Sequence, residues 1–203
     1  VYRGVQSATL QAAGRVGVVY GDFRASSAAT PKAGGLPTQH VLENGELFIL
    51  DYSLSLEGYR SDFTNVIAVG TPSAQQREVF AVCQAAMAAG EKVFKAGAKA
   101  ADVYHAASAQ YVNSSFASQG YNKLTHHAGH GIGLETHEEP YIVSGNALPL
   151  EPGFAFSIEP GFYRTGVHGA RIEDIVHAAR ERRRHGGRRY ASDRGAERSA
   201  SAS

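Results

Sequence analysis

The chain of 203 residues has no tryptophan, one methionine and one cysteine. A lone thiol, Cys83, excludes an intrachain disulfide framework, a cysteine zinc knuckle and a cysteine-ligated iron–sulfur cluster. No apolar run approaches the ~18 residues of a membrane span. The start, Val1-Tyr2-Arg3-Gly4, has neither an initiator methionine nor the apolar centre of a secretion signal. The expectation is therefore a cytoplasmic protein with no membrane partner, read here as a fragment. What is present suffices for one folded body: 43% apolar residues, ten tyrosines and nine phenylalanines against 19% charged residues.

The formal charge of +1 conceals a split. Residues 176–203 hold eight arginines against three acids, so that this end is strongly basic and the body before it is mildly acidic. An Arg/Gly/Ser-rich run of this kind is expected to be a solvated, disordered tail over 177–203. Nucleic-acid binding through it is the minor reading, and it implies steep salt dependence that disappears with the tail.

Along the body, residues 5–13 read as the end of a helix and Val16–Tyr20 as a strand. Leu47–Asp51 and Phe63–Val69 are short strands on either side of a turn at Glu57-Gly58. Thr71-Pro72-Ser73 starts a helix on which Val79, Cys83, Met87, Gly90 and Phe94 recur at helical spacing until Gly97. A second helix is expected from Ala101 to Ser118. Two further strands are read over Phe154–Glu159 and Ala170–Val176. Strands and helices do not alternate with the beat of a parallel βαβ fold, which favours an α+β domain over residues 1–176.

Two pairs of acids share a symmetry. Asp51 and Asp62 flank the Glu57-Gly58 turn, and Glu159 and Glu173 are centred on Gly166. Antiparallel pairing about each turn would set the members of each pair opposite one another. Four carboxylates gathered in an interior cannot all stay ionised unless cations join them, and two divalent ions would cancel their charge. Four of the nine histidines lie in His126-His127-Ala128-Gly129-His130-Gly131-Ile132-Gly133-Leu134-Glu135-Thr136-His137. Glycines on both sides of His130 leave room for close approach of a metal, with the other imidazoles placed to work on substrate.

These residues resemble the pita-bread (creatinase/aminopeptidase-like) metallopeptidases, in the Xaa-Pro aminopeptidase and prolidase branch. The matching motifs are Asp51 with Ser61-Asp62-Phe63-Thr64, Gly129-His130-Gly131-Ile132-Gly133 followed by His137-Glu138, Ser157-Ile158-Glu159-Pro160-Gly161, and Arg171-Ile172-Glu173-Asp174. The resemblance implies a pita-bread fold truncated at both ends. It implies two divalent ions held by Asp51, Asp62, His130, Glu159 and Glu173, with Mn²⁺ favoured by the oxygen-rich set and Co, Zn or Fe as alternatives. It further implies Glu159 as the carboxylate that takes a proton from the attacking water. His137 would donate to the carbonyl oxygen, His126 would position substrate, and Arg171 would orient Glu173 or touch substrate. Three positions depart from the pattern. Gly34 stands where a further substrate-site histidine is expected, with His40 six residues out of register, and Ser53 and Asn65 replace a glycine and an arginine.

The implied activity is hydrolysis of an Xaa-Pro bond in dipeptides or at peptide N-termini, with a peptide or dipeptide as partner and a homodimer as the assembly considered. The alternative is a non-catalytic pita-bread homologue that binds peptide or another ligand. A methionine aminopeptidase shares the five-ligand logic, but the segments around Glu159 and Glu173 resemble the proline-directed branch.

Overall fold

The computed structural model describes residues 2–14, 18–26, 39–164 and 168–179. Helix α1 (Tyr2–Ala13) precedes β1 (Val18–Ser26), β2 (Leu47–Leu56), β3 (Tyr59–Arg60) and β4 (Phe63–Ala68). Helices α2 (Ala74–Val93) and α3 (Ala100–Val112) follow, then a 3-10 turn at Ala117–Gln119. The rest is β5 (His130–Gly131), β6 (Glu138–Tyr141), β7 (Ala155–Ile158), β8 (Gly161–Arg164), β9 (His168–Arg171) and β10 (Asp174–His177). Strand β2 is paired antiparallel with β1, β3 and β4 in one sheet, a second sheet has the order β10-β7-β5-β6, and β8-β9 form a hairpin. Gly34 and residues 180–203 of the basic tail lie outside the described residues. Among the described residues no helix is long and apolar enough to cross a membrane.

Helix α2 begins where the sequence places it. Ser73 caps it, its side chain accepting from the Gln76 amide while the Gln76 side chain accepts from the Ser73 amide, an arrangement that satisfies two orphan donors at once. Val79, Cys83 and Ala86 on α2 and Val103, Ala107 and Tyr111 on α3 are buried with Phe156, Ile158 and Phe162 of the strands below. The Tyr111 hydroxyl donates to the Gly161 carbonyl at 2.9 Å, tying α3 to the start of β8. Burial pushes the Cys83 thiol up to about 12, so this cysteine is a packing residue and not a nucleophile.

Helix α3 stops at Val112, short of the Ser118 expected from the sequence. Ser114 explains the stop: its hydroxyl donates to the Tyr111 carbonyl at 2.8 Å and accepts from the Phe116 amide at 3.3 Å, offering the backbone a turn in place of another helical bond. The single strand expected over Ala170–Val176 is two. β9 pairs with β8, β10 pairs with β7, and between them Glu173 bridges to Thr64 of β4. That crossing joins the sheets at the site.

The first hairpin differs in register from the sequence argument. Its two-residue turn is Glu57-Gly58, both at positive φ (54° and 91°), which matches the twist of a tight hairpin. Leu56 therefore faces Tyr59 and Asp51 faces Thr64, not Asp62. Asp62 is the diagonal neighbour of Asp51 and stays on the same face, because alternate residues share a face. The second pair behaves as expected. Ile158 faces Asp174 and Gly161 faces Arg171 in one continuous register, which sets Glu159 opposite Glu173 in the gap between the two ladders.

The glycines around His130 serve backbone packing. A Cβ on Gly129 would stand 1.9 Å from the Ser157 carbonyl oxygen, and one on Gly131 would stand 2.8 Å from that of Glu138. Gly129→Ala is expected to push β5 off β7 and cost about 3 kcal/mol or more, the upper range for overpacking. A denaturant midpoint equal to that of the parent chain would contradict this packing.

Candidate metal centre

Five strand ends around the gap deliver polar or charged side chains into it. Asp62 follows β3, His130 opens β5, Glu159 follows β7, Arg171 closes β9 and Glu173 precedes β10. All five are buried, none more than 6% exposed. One ligand atom each of Asp62, His130 and Glu173 lies within 4.8 Å of the others. His130 Nε2 is 3.2 Å from Glu159 Oε1 and 3.8 Å from Asp62 Oδ2. Asp51 Oδ2 accepts a short hydrogen bond from the Arg171 guanidinium.

The electrostatics follow from this crowding. Burial, and next the Asp51 carboxylate, push Asp62 up to about 7. Burial, with Glu159 and Asp62, raises Glu173 well above the ordinary carboxylate range. Glu159 goes the other way: burial opposes its charge, but His130, Arg171 and His127 hold it at about 2. Burial likewise disfavours the charged form of His130, but the hydrogen bonds to Glu159 and the Gly131 carbonyl, with the charges of Glu159 and Asp62, together outweigh it and raise the imidazole. The carboxylates thus exceed what Arg171 and His130 neutralise, and the donor set, four carboxylates and one imidazole, fits hard divalent cations.

The imidazole is already oriented for such a cation. His130 Nδ1 lies 2.9 Å from the Gly131 carbonyl oxygen; a carbonyl only accepts, so Nδ1 carries a proton and Nε2 is the nitrogen turned to the carboxylates, donating to Glu159 when protonated and free to give its lone pair to a cation once that proton is lost. The His137 ring stands 4.0 Å from that of His130, centroid to centroid. His126 rests beside Tyr163 and His127. Burial lowers both His126 and His137, so each is a neutral imidazole at neutral pH. His40 is paired with Glu46 at 2.9 Å.

The chain matches the model of metallopeptidase family M24 over residues 3–179. It belongs to that family. An Xaa-Pro dipeptidase of Lactobacillus helveticus is 40% identical over 149 residues, which are 73% of this chain and 39% of the relative. A prolidase of Thermococcus sibiricus superposes with a TM-score of 0.72 at 30% identity, covering 88% of this chain and 47% of the other. An X-Pro aminopeptidase of Thermotoga maritima gives 0.68 at 31% identity, covering 79% and 44%. The fold of this M24 chain is the pita-bread fold in its prolidase and X-Pro aminopeptidase branch, and the chain spans less than half the length of these relatives.

Two residues of the M24 site were not singled out from the sequence. Thr64 donates to Glu173 Oε2 at 2.7 Å and accepts from Arg171 Nε at 3.0 Å, so Arg171 reaches Glu173 through Thr64. The signal was available: Thr64 lies two residues beyond Asp62 in an alternating strand and shares its face. His127 lies with Nδ1 3.4 Å from Glu159 Oε1, and burial lowers it to about 4. Two adjacent histidines before His130 announced a second imidazole, but sequence did not show which way it turned.

Proposed function

We propose that this M24 chain is the catalytic part of an exopeptidase that hydrolyses Xaa-Pro bonds, in dipeptides or at peptide N-termini, with two divalent metal ions, Mn²⁺ foremost. Asp51, Asp62, His130, Glu159 and Glu173 would hold the ions. When bound, such a pair neutralises the buried carboxylates and makes water nucleophilic near neutral pH. The observation that carries the reading is the convergence of Asp62, His130 and Glu173 within 4.8 Å in a buried gap, with Glu159 against His130.

The chain's own groups supply the proton chemistry. Glu159, held at about 2, is ionised at neutral pH and is the acceptor for the proton of the attacking water. His137, neutral and beside His130, donates its N–H to the scissile carbonyl oxygen as negative charge builds there. His126 positions the substrate. Proton transfer by groups of this kind contributes about 10²–10⁴-fold. Arg171 fixes Asp51 directly and Glu173 through Thr64, so it acts on the ligands and orients them.

The test is metal content and turnover of the full chain loaded with Mn²⁺, on an Xaa-Pro dipeptide and an Xaa-Pro-Yaa tripeptide. Hydrolysis that depends on added Mn²⁺ and is lost on chelation is expected, and the preferred substrate separates a prolidase from an aminopeptidase. A chain that binds no divalent ion, or binds peptide equally with and without metal and cleaves nothing, is the non-catalytic homologue instead.

A further inference from the structure

Two ligand-grade nitrogens beside the centre make no hydrogen bond among the described residues: His126 Nε2 and His127 Nδ1 are buried, and the latter lies 3.4 Å from Glu159 Oε1. Buried polar atoms are satisfied in the great majority of cases, so two orphans on adjacent residues, facing the same carboxylate, call for a ligand. One donor atom from each of His126, His127 and Glu159 lies within 4.8 Å of the others, a group separate from that of Asp62, His130 and Glu173.

The imidazoles are prepared for coordination. His126 Nδ1 lies 2.7 Å from the His127 carbonyl oxygen. As at His130, the carbonyl fixes a proton on Nδ1, and in the neutral His126 this leaves Nε2 with a free lone pair, the remote-nitrogen arrangement that metal-ligating histidines show. The His127 ring is braced between Tyr141 at 5.4 Å and His130 at 5.5 Å, both edge-on, while its Nδ1 faces Glu159.

We propose that His126, His127 and Glu159 form an auxiliary zinc site beside the dimetal centre, through which excess Zn²⁺ inhibits the enzyme. The inference rests on the proposed function only in the inhibition and in Glu159 being shared. Two imidazoles and one carboxylate are a three-ligand set that zinc takes with a fourth position open, whereas Mn²⁺ prefers oxygen donors. A carboxylate has two oxygens and about four lone-pair sites, so Glu159 serves both sites. Zinc held there occupies the nitrogen that His126 would turn to substrate and the carboxylate that would take the proton.

The full chain, saturated with Mn²⁺, is equilibrated with graded Zn²⁺, and bound ions are counted beside His127→Leu and His126→Leu. The parent chain is expected to bind one more zinc per chain than either variant. Inhibition of Xaa-Pro hydrolysis is expected to need at least about tenfold more zinc in His127→Leu, since losing a direct ligand costs no less than the roughly 10–100-fold typical of lost outer-shell support. Equal zinc uptake by the parent chain and both variants overturns the site, whether or not the variants remain active. Manganese content reads the dimetal centre independently. A parent chain without manganese but with a His127-dependent zinc overturns the proposed function and leaves this site standing.

Discussion

Asp62→Asn is expected to abolish Xaa-Pro hydrolysis and at the same time to stabilise the metal-free protein. Asp62 is 5% exposed and lies among Asp51, His130 and Glu159. Losing its charge removes a ligand that the proposed centre needs. Metal ions supply several kcal/mol of transition-state charge stabilisation, so a fall of ~10³-fold or more in turnover is expected. The stability effect has the opposite direction. Burial and Asp51 raise the carboxyl from 3.8 to about 7 in the folded protein, so between those values the folded state binds the extra proton. Stability of the metal-free parent chain falls as pH rises from about 4 to about 7, and the full cost remains above 7. That displacement bounds the cost at about 4 kcal/mol. Part of the repulsion persists between Asp51 and Glu159, which leaves a gain of ~1–3 kcal/mol for Asp62→Asn at pH 8. Urea midpoints at pH 4 and pH 8, with chelator, measure it. Equal midpoints at pH 8 would mean that the carboxylates do not repel as the geometry requires.

The same residues show what could be read before any coordinates. Glu159 and Glu173 face each other as their symmetry about Gly166 foretold, because one register holds on both sides of them. Asp51 and Asp62 share a face but not a rung, since a two-residue turn shifts the partner of Asp51 to Thr64. Turn type is a matter of two φ angles, and a glutamate at positive φ is not a pattern that spacing alone announces. Ser73 and the apolar spacing after it gave the start and buried face of α2. The end of α3 depended on the bonds of the Ser114 hydroxyl, a local competition that periodicity does not register. The candidate acids and His130 were legible as chemistry. The wiring between them, with Arg171 joined to Glu173 by Thr64 and His127 turned to Glu159, depends on side-chain direction and needed the fold.

Arg171→Met tests that wiring. The guanidinium is 4% exposed; it donates to Asp51 and Thr64 and lies 3.9 Å from Glu159. Removing it leaves buried carboxylates without their cation, a change that costs about 3–5 kcal/mol. For a chain of this size about 1 kcal/mol corresponds to 2–4 °C, so the metal-free variant is expected to melt on the order of 10 °C lower at pH 8. The pH dependence identifies the cause. Glu159 is held below its ordinary value partly by Arg171, so its contribution is complete above about 4.5 and is lost as pH falls towards about 2. The deficit of the variant therefore shrinks on acidification, as carboxylates protonate in both chains. Arg171→Lys restores charge but not the fork that reaches Asp51 and Thr64 together, and is expected to recover only part of the loss. Saturating Mn²⁺ separates an electrostatic role from simple packing. If the ions take over the neutralisation, the gap between parent and variant narrows in manganese. A deficit unchanged by metal and by pH would make Arg171 a packing residue and detach it from the ligands.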